Sequence, residues 1–127
     1  MQLLFVMLGG FLGTLSRYAL GEWLPTSEGF PLTTLLVNLF GCLFLGWFFT
    51  FVGQNQRIDP LLVLAIGTGL IGSFTTFSAF SLETVKLLQS GDFLSALLYV
   101  LTTILCGLLF TYIGYKIALK NKVCESL

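Results

Sequence analysis

The chain has 127 residues, of which 56% are hydrophobic and 9% charged, against the roughly 25% charged of an ordinary water-soluble domain. Six basic residues (Arg17, Arg57, Lys86, Lys116, Lys120 and Lys122) balance six acidic ones, so no surplus charge exists to hold nucleic acid or an acidic partner. Histidine is absent and Cys42, Cys106 and Cys124 form no CxxC pair, which removes the usual zinc, haem and disulfide frameworks.

A helix needs about 20 apolar residues, at about 1.5 Å each, to cross roughly 30 Å of hydrocarbon. The first stretch that meets this need is Leu3 to Leu20. It lacks the basic flank and small-residue cleavage site of a secretory leader, so it is expected to be a retained span. Gly9 and Gly13, four residues apart, read as small residues that let another helix approach closely. Arg17 sits near the end of the span, where its side chain can snorkel to the interface. Attraction of anions to a vestibule and structural anchoring are both open to it.

The second span, Leu32 to Val52, follows Pro31, and the third, Leu61 to Leu88, follows Pro60. Proline is harmless there because its missing N–H would be unpaired at a helix start anyway. Asn38 lies about six residues into span two, where an amide must find a partner. A functional role and a role as interhelical glue are evenly balanced. Tyr18, Trp23 and Trp47 are candidate interfacial anchors, although Trp47 is deep enough to be packing.

Span three is the informative one. Residues 67 to 83 read GTGLIGSFTTFSAFSLE, a run of glycines and hydroxyls that disfavours a continuous helix. A break near Phe74 and Thr75 would lie close to the bilayer midplane. Backbone groups left unpaired in hydrocarbon cost several kcal/mol each, so such a break persists only where it lines a cavity or binds something. Freed carbonyls make a cation site. Close helix packing alone accounts for neither the threonine pair nor the flanking aromatics. Phe77 and Phe80 share one helical face. By themselves they read more readily as lipid-facing filler, but ring edges are positive and can border a dehydrated anion whose shell hydroxyls and amides complete. Glu83 has Lys86 one turn further on.

The fourth span runs from Phe93 to Leu119, and its Tyr99, Thr103 and Gly107 recur at every fourth residue. A polar rail is one reading; threonine bonding its own backbone is the other. The connecting segments EWLPTSEGFP, GQNQRIDP and QSGD are short and turn-like, so residues 1–127 are expected to form a single four-span domain. No internal repeat is visible, so any inverted symmetry must come from pairing two chains. Four basic residues at the termini and second loop face two on the opposite side, a bias weak enough for insertion in both orientations.

Taken together, GGFLGTLSRY at 9–18, TTLLVNLFG at 33–41 and GLIGSFTTFSAFSLE at 69–83 resemble the Fluc/CrcB family of fluoride channels along essentially the whole chain. The resemblance implies an all-α membrane protein of the prokaryotic cell membrane, with four transmembrane helices, the third broken in mid-membrane. It implies an antiparallel dual-topology dimer with two narrow pores that export fluoride passively. The second subunit would be a copy of the chain or a paired homologous chain. By position, the carbonyls of Gly72 and Thr75 would hold a central structural sodium ion. Phe77 and Phe80 would form aromatic fluoride sites, Asn38 and Ser78 would donate hydrogen bonds, Tyr99 and Thr103 would continue the polar track, and Arg17 would stand at a pore mouth. Ala79, where threonine is usual, and Gly107, where serine can occur, depart from the pattern.

Two rivals stand beside this reading. A four-span dual-topology cation exporter would need a carboxylate in its first span, which here holds Arg17 and no acid. A non-transporting accessory subunit would use the glycines and aromatics only for assembly. An enzyme is disfavoured, because no histidine, metal-ligand cluster or nucleophile-base pair is available.

Overall fold

The computed structural model describes residues 1–24, 29–55 and 58–125, with side chains described as far as Lys120. Arg57 and the side chain of Lys122, counted in the charge bias above, lie outside the described residues. The described residues are all helical or connecting, with no strand among them. Four helical stretches are long and apolar enough to cross a membrane: Gln2–Trp23, Leu32–Gln54, Pro60–Gln89 and Phe93–Lys120.

Helices α1 (Gln2–Trp23) and α2 (Leu32–Gln54) are continuous. The third stretch is composite. It opens with α3 (Pro60–Val63), where Asp59 accepts the Leu61 N–H at 2.8 Å and Pro60 takes the first turn, a cap that satisfies one orphan donor. It widens into a π-helical segment over Leu64–Ile71 and tightens again as α4 (Gly72–Phe74). Thr75 (ψ 153°) and Thr76 (φ −141°, ψ 120°) are extended. Helix α5 (Phe77–Gln89) then begins, capped by the Thr76 hydroxyl on the Ala79 N–H at 3.2 Å.

Gly91, at φ 81°, turns the chain from α5 into α6 (Phe93–Glu125). The N–H groups of Gly91 and Asp92 close onto Leu88 and Leu87, the paired bonds that end a helix at a left-handed glycine. Helix α6 has 33 residues, hence is about 50 Å long and exceeds the hydrocarbon thickness. It outruns the expected Leu119 because the sequence after that point contains no proline or glycine to stop it.

Packing uses two kinds of contact. Helix α1 meets the π-helical segment backbone to backbone. Gly9 and Gly13 are buried, and a Cβ on either would run into the carbonyls of Ala65 or Leu70. A Cβ on Gly69 would lie 2.7 Å from the Val6 oxygen and 3.1 Å from the Gly9 Cα. The close-packing role expected of Gly9 and Gly13 is what the structure shows, with the π turn as their counterpart. Helices α2 and α6 meet similarly: Gly46 faces the Thr111 backbone and Gly114 that of Leu43 and Trp47. Between α2, α5 and α6 lies a side-chain core of Leu35, Leu39, Leu87, Ala96 and Tyr99.

Candidate functional site

The two extended residues between α4 and α5 are held from outside by Asn38. Its Nδ2 donates to the Thr76 carbonyl at 3.0 Å, and its Oδ1 accepts the Thr76 N–H at 2.8 Å. One amide side chain on α2 therefore satisfies both main-chain groups of a residue that is only 8% exposed. This matters because a buried backbone group without a partner costs about 1–3 kcal/mol. Gly41, one turn along α2, makes room: a Cβ there would collide with the Thr75 methyl.

The diversion of these donors has a second effect. In a continuous helix the Thr76 N–H would serve the Gly72 carbonyl and the Ala79 N–H would serve that of Thr75. The first instead goes to Asn38 and the second to the Thr76 hydroxyl. The carbonyls of Gly72 and Thr75 thus lose their helical donors. Gly72 is exposed and Thr75 half-buried. Thr75 otherwise turns inward along its own helix, with both its N–H and its hydroxyl donating to the Ile71 carbonyl at 3.0 and 3.1 Å.

A groove of about 740 Å³ runs beside this step, between α2, the third stretch and α6. Asn38, Gly72, Thr75, Phe77, Phe80 and Thr103 all line it, so six of the residues singled out in the sequence are brought together. Phe77 is 80% exposed and its ring centroid stands 5.8 Å from that of Phe80. Phe80 continues to Tyr99, 5.2 Å away.

The other candidates are placed differently. Ser78 is exposed, with its hydroxyl 3.2 Å from that of Thr76. Tyr99 is fully buried and donates to Glu83 Oε2 at 2.8 Å, while Thr34 on α2 donates to Glu83 Oε1 at 2.7 Å. Thr103 donates back to the Tyr99 carbonyl at 2.7 Å, the local bond that threonine makes in membrane helices. Arg17 is half-buried and lines a second cleft of about 350 Å³, together with Tyr18 and Thr34; Thr76 borders that cleft too.

Sequence reasoning missed Thr76 as the residue on which the local geometry turns, and Thr34 as a partner of Glu83. The available signal was one of inventory: a carboxylate, an amide and two hydroxyls in apolar spans must find each other. Spacing could not say which pairs with which. Among the described residues no three His, Cys, Asp or Glu side chains gather as a metal cluster.

The profile of the family described as CrcB-like protein, Camphor Resistance (CrcB), matches residues 4–115. A protein of Oceanobacillus iheyensis named fluoride-specific ion channel FluC is 47% identical over 126 residues, covering 99% of this chain and 98% of its own. Fluoride-specific ion channel FluC 1 of Bacillus cereus is 45% identical across 91% of this chain and 83% of its own. FluC 2 of Listeria innocua is 42% identical across 94% and 92%. These names mark a family of ion channels and not of enzymes, and with four apolar spans they make the chain a multi-pass membrane protein. Matched by the family profile along most of its length, and by relatives 42–47% identical along nearly all of it, the chain belongs to the CrcB family.

Proposed function

We propose that the protein is a fluoride-selective channel of the prokaryotic cell membrane that lets cytoplasmic fluoride leave passively, through narrow pores formed when two chains pair in antiparallel, dual-topology fashion. The observation that carries this reading is the extended step at Thr75–Thr76 opening on the groove. There an amide, hydroxyls and two phenyl rings meet at what would be mid-membrane, as a break in the third transmembrane helix. Dehydrated fluoride is small and needs short hydrogen bonds or positive ring edges to replace its water. Phe77 and Phe80 would supply the edges, and Asn38, Ser78 and Thr103 the polar partners. Asn38 retains one N–H beyond the one given to Thr76. Tyr99, through Glu83, would close the far end of the track, and Arg17 would stand at a mouth. A second chain would cover Phe77, which a lone chain leaves bare.

The donor-deprived carbonyls of Gly72 and Thr75 fit a sodium ion, since hard cations take oxygen ligands and two chains would bring four such oxygens together. Bound there, the ion would supply fixed positive charge beside the pores and join the two chains. The chain's own contribution is to hold those oxygens free of helical bonding, which Asn38 and the Thr76 hydroxyl do.

A fluoride electrode outside liposomes loaded with potassium fluoride tests the reading. The purified chain should release fluoride on addition of a potassium ionophore and leave chloride nearly untouched; equal chloride release, or no fluoride release, defeats it. Phe80→Ile keeps bulk and apolarity without the ring edge, and should lower fluoride release at least about tenfold. Retained pairing in detergent would show that the loss is not one of folding.

A further inference from the structure

A further cavity, of about 380 Å³, lies beyond the Tyr99–Glu83 pair and is lined by Phe30, Glu83, Lys86, Ser90 and Asp92 among others. It is connected to the groove through named contacts. Phe80 borders the groove and packs on Tyr99, whose hydroxyl donates to Glu83, and Glu83 borders the cavity. The cavity sits where α5 ends, Gly91 turns the chain and α6 begins, so it lies at the end of the spans and not within them.

Its charges are unequal in their commitments. Glu83 accepts hydroxyls from Thr34 and Tyr99. Asp92 accepts the Ser95 N–H at 3.2 Å at the start of α6, and its bonds with the Ser95 side chain and backbone hold its carboxyl below the usual aspartate range. Its negative charge is therefore set against the positive end of α6. Lys86 is exposed, and among the described residues it makes no ion pair. Among the described residues it is the only basic side chain lining the cavity.

We propose that this cavity is the aqueous mouth of the anion route and that Lys86 is the charge that recruits anions to it. The proposal rests on the channel reading above and extends it to a mouth on the same side of the bundle as Arg17, whose cleft shares Thr34 with the Glu83 pair. A lone cation at the rim of a low-dielectric wall raises the local concentration of small anions, and the effect is long-ranged only when salt is dilute. Screening extends about 30 Å at 0.01 M ionic strength and about 3 Å at 1 M. The other role open to Lys86, complementing the carbonyl end of α5, would act on stability and not on entry.

The measurement is fluoride release from liposomes by the full chain and by Lys86→Arg, Lys86→Gln and Lys86→Glu, at about 0.01 M and about 1 M ionic strength set with an impermeant salt. At low ionic strength Lys86→Gln should lower release about threefold to tenfold and Lys86→Glu further, Lys86→Arg should match the unaltered chain, and at high ionic strength all four should agree within about twofold. Release that does not change with the charge at residue 86, or a loss equal at both ionic strengths, overturns the proposal while leaving the channel in place. If the unaltered chain releases no fluoride, the channel reading itself fails and the mouth with it.

Discussion

The two halves of the third stretch are held in opposite ways. Before Thr75, the π-helical segment lies against α1 with Gly9, Gly13 and Gly69 set directly against main-chain atoms. After Thr76, α5 is tied to α2 and α6 by side chains, through Asn38 on the Thr76 backbone and through Thr34 and Tyr99 on Glu83. In a membrane, lipid tails are as apolar as leucine, so helices are joined by close packing or by hydrogen bonds and not by the hydrophobic effect. This chain uses one device on each side of the same step. Close packing leaves no room for an ion. Hydrogen bonding across a gap does, and the groove runs past the step from Ile71 and Gly72 to Thr76, Phe77 and Phe80.

Breaking the close-packed half should have the largest effect. Gly13→Leu drives a side chain into the Leu70 main chain, which cannot swing aside as a side chain would. Overpacking ordinarily costs about 1–3 kcal/mol; here the loss should exceed that, and no monodisperse protein should be recovered in detergent. Gly21 has nothing within 4 Å, so Gly21→Ala should extract and run normally. Equal behaviour of the two variants would dissolve the contrast between the halves.

Asn38→Ala probes the hydrogen-bonded half. It leaves the Thr76 N–H and carbonyl buried without partners, at about 1–3 kcal/mol each, and should lower the thermal midpoint in detergent by several degrees while abolishing fluoride release. Full stability would mean that the step at Thr75–Thr76 holds itself without α2.

Thr103→Val sharpens the comparison at its finest. Among the described residues its hydroxyl bonds only the Tyr99 carbonyl, so stability should change by less than about 1 kcal/mol. Any drop in fluoride release then belongs to the path. An unchanged release removes Thr103 from it.

These regions also differ in how legible they were. Spans read as Leu3–Leu20, Leu32–Val52, Leu61–Leu88 and Phe93–Leu119 fall within the observed candidate spans, because apolar length is a local property. Gly9 and Gly13 were readable as packing because the motif lies within one helix. Asn38 announced that it needed a partner, but the partner lies 38 residues away, a separation that no periodicity encodes. Tyr99 and Thr103 were correctly put on one face, yet their hydroxyls point to different business: one crosses to Glu83 and the other returns to its own helix. Helical phase fixes the face and leaves the hydroxyl rotor undetermined. The π-helical segment was likewise unreadable, since its glycines are equally compatible with an ordinary turn.

The uncommitted oxygens at the step belong to the main chain, and every amino acid carries one. An alanine scan therefore passes over Gly72 and Thr75 without deleting the main-chain oxygens proposed above to hold a cation. The heritable instructions for those oxygens reside in the side chains that intercept their donors, Asn38 on another helix and Thr76 next in sequence. In a mutational map of this protein, the positions most sensitive for the step should be these neighbours, with Gly72 and Thr75 themselves tolerant of any residue that accepts the backbone path.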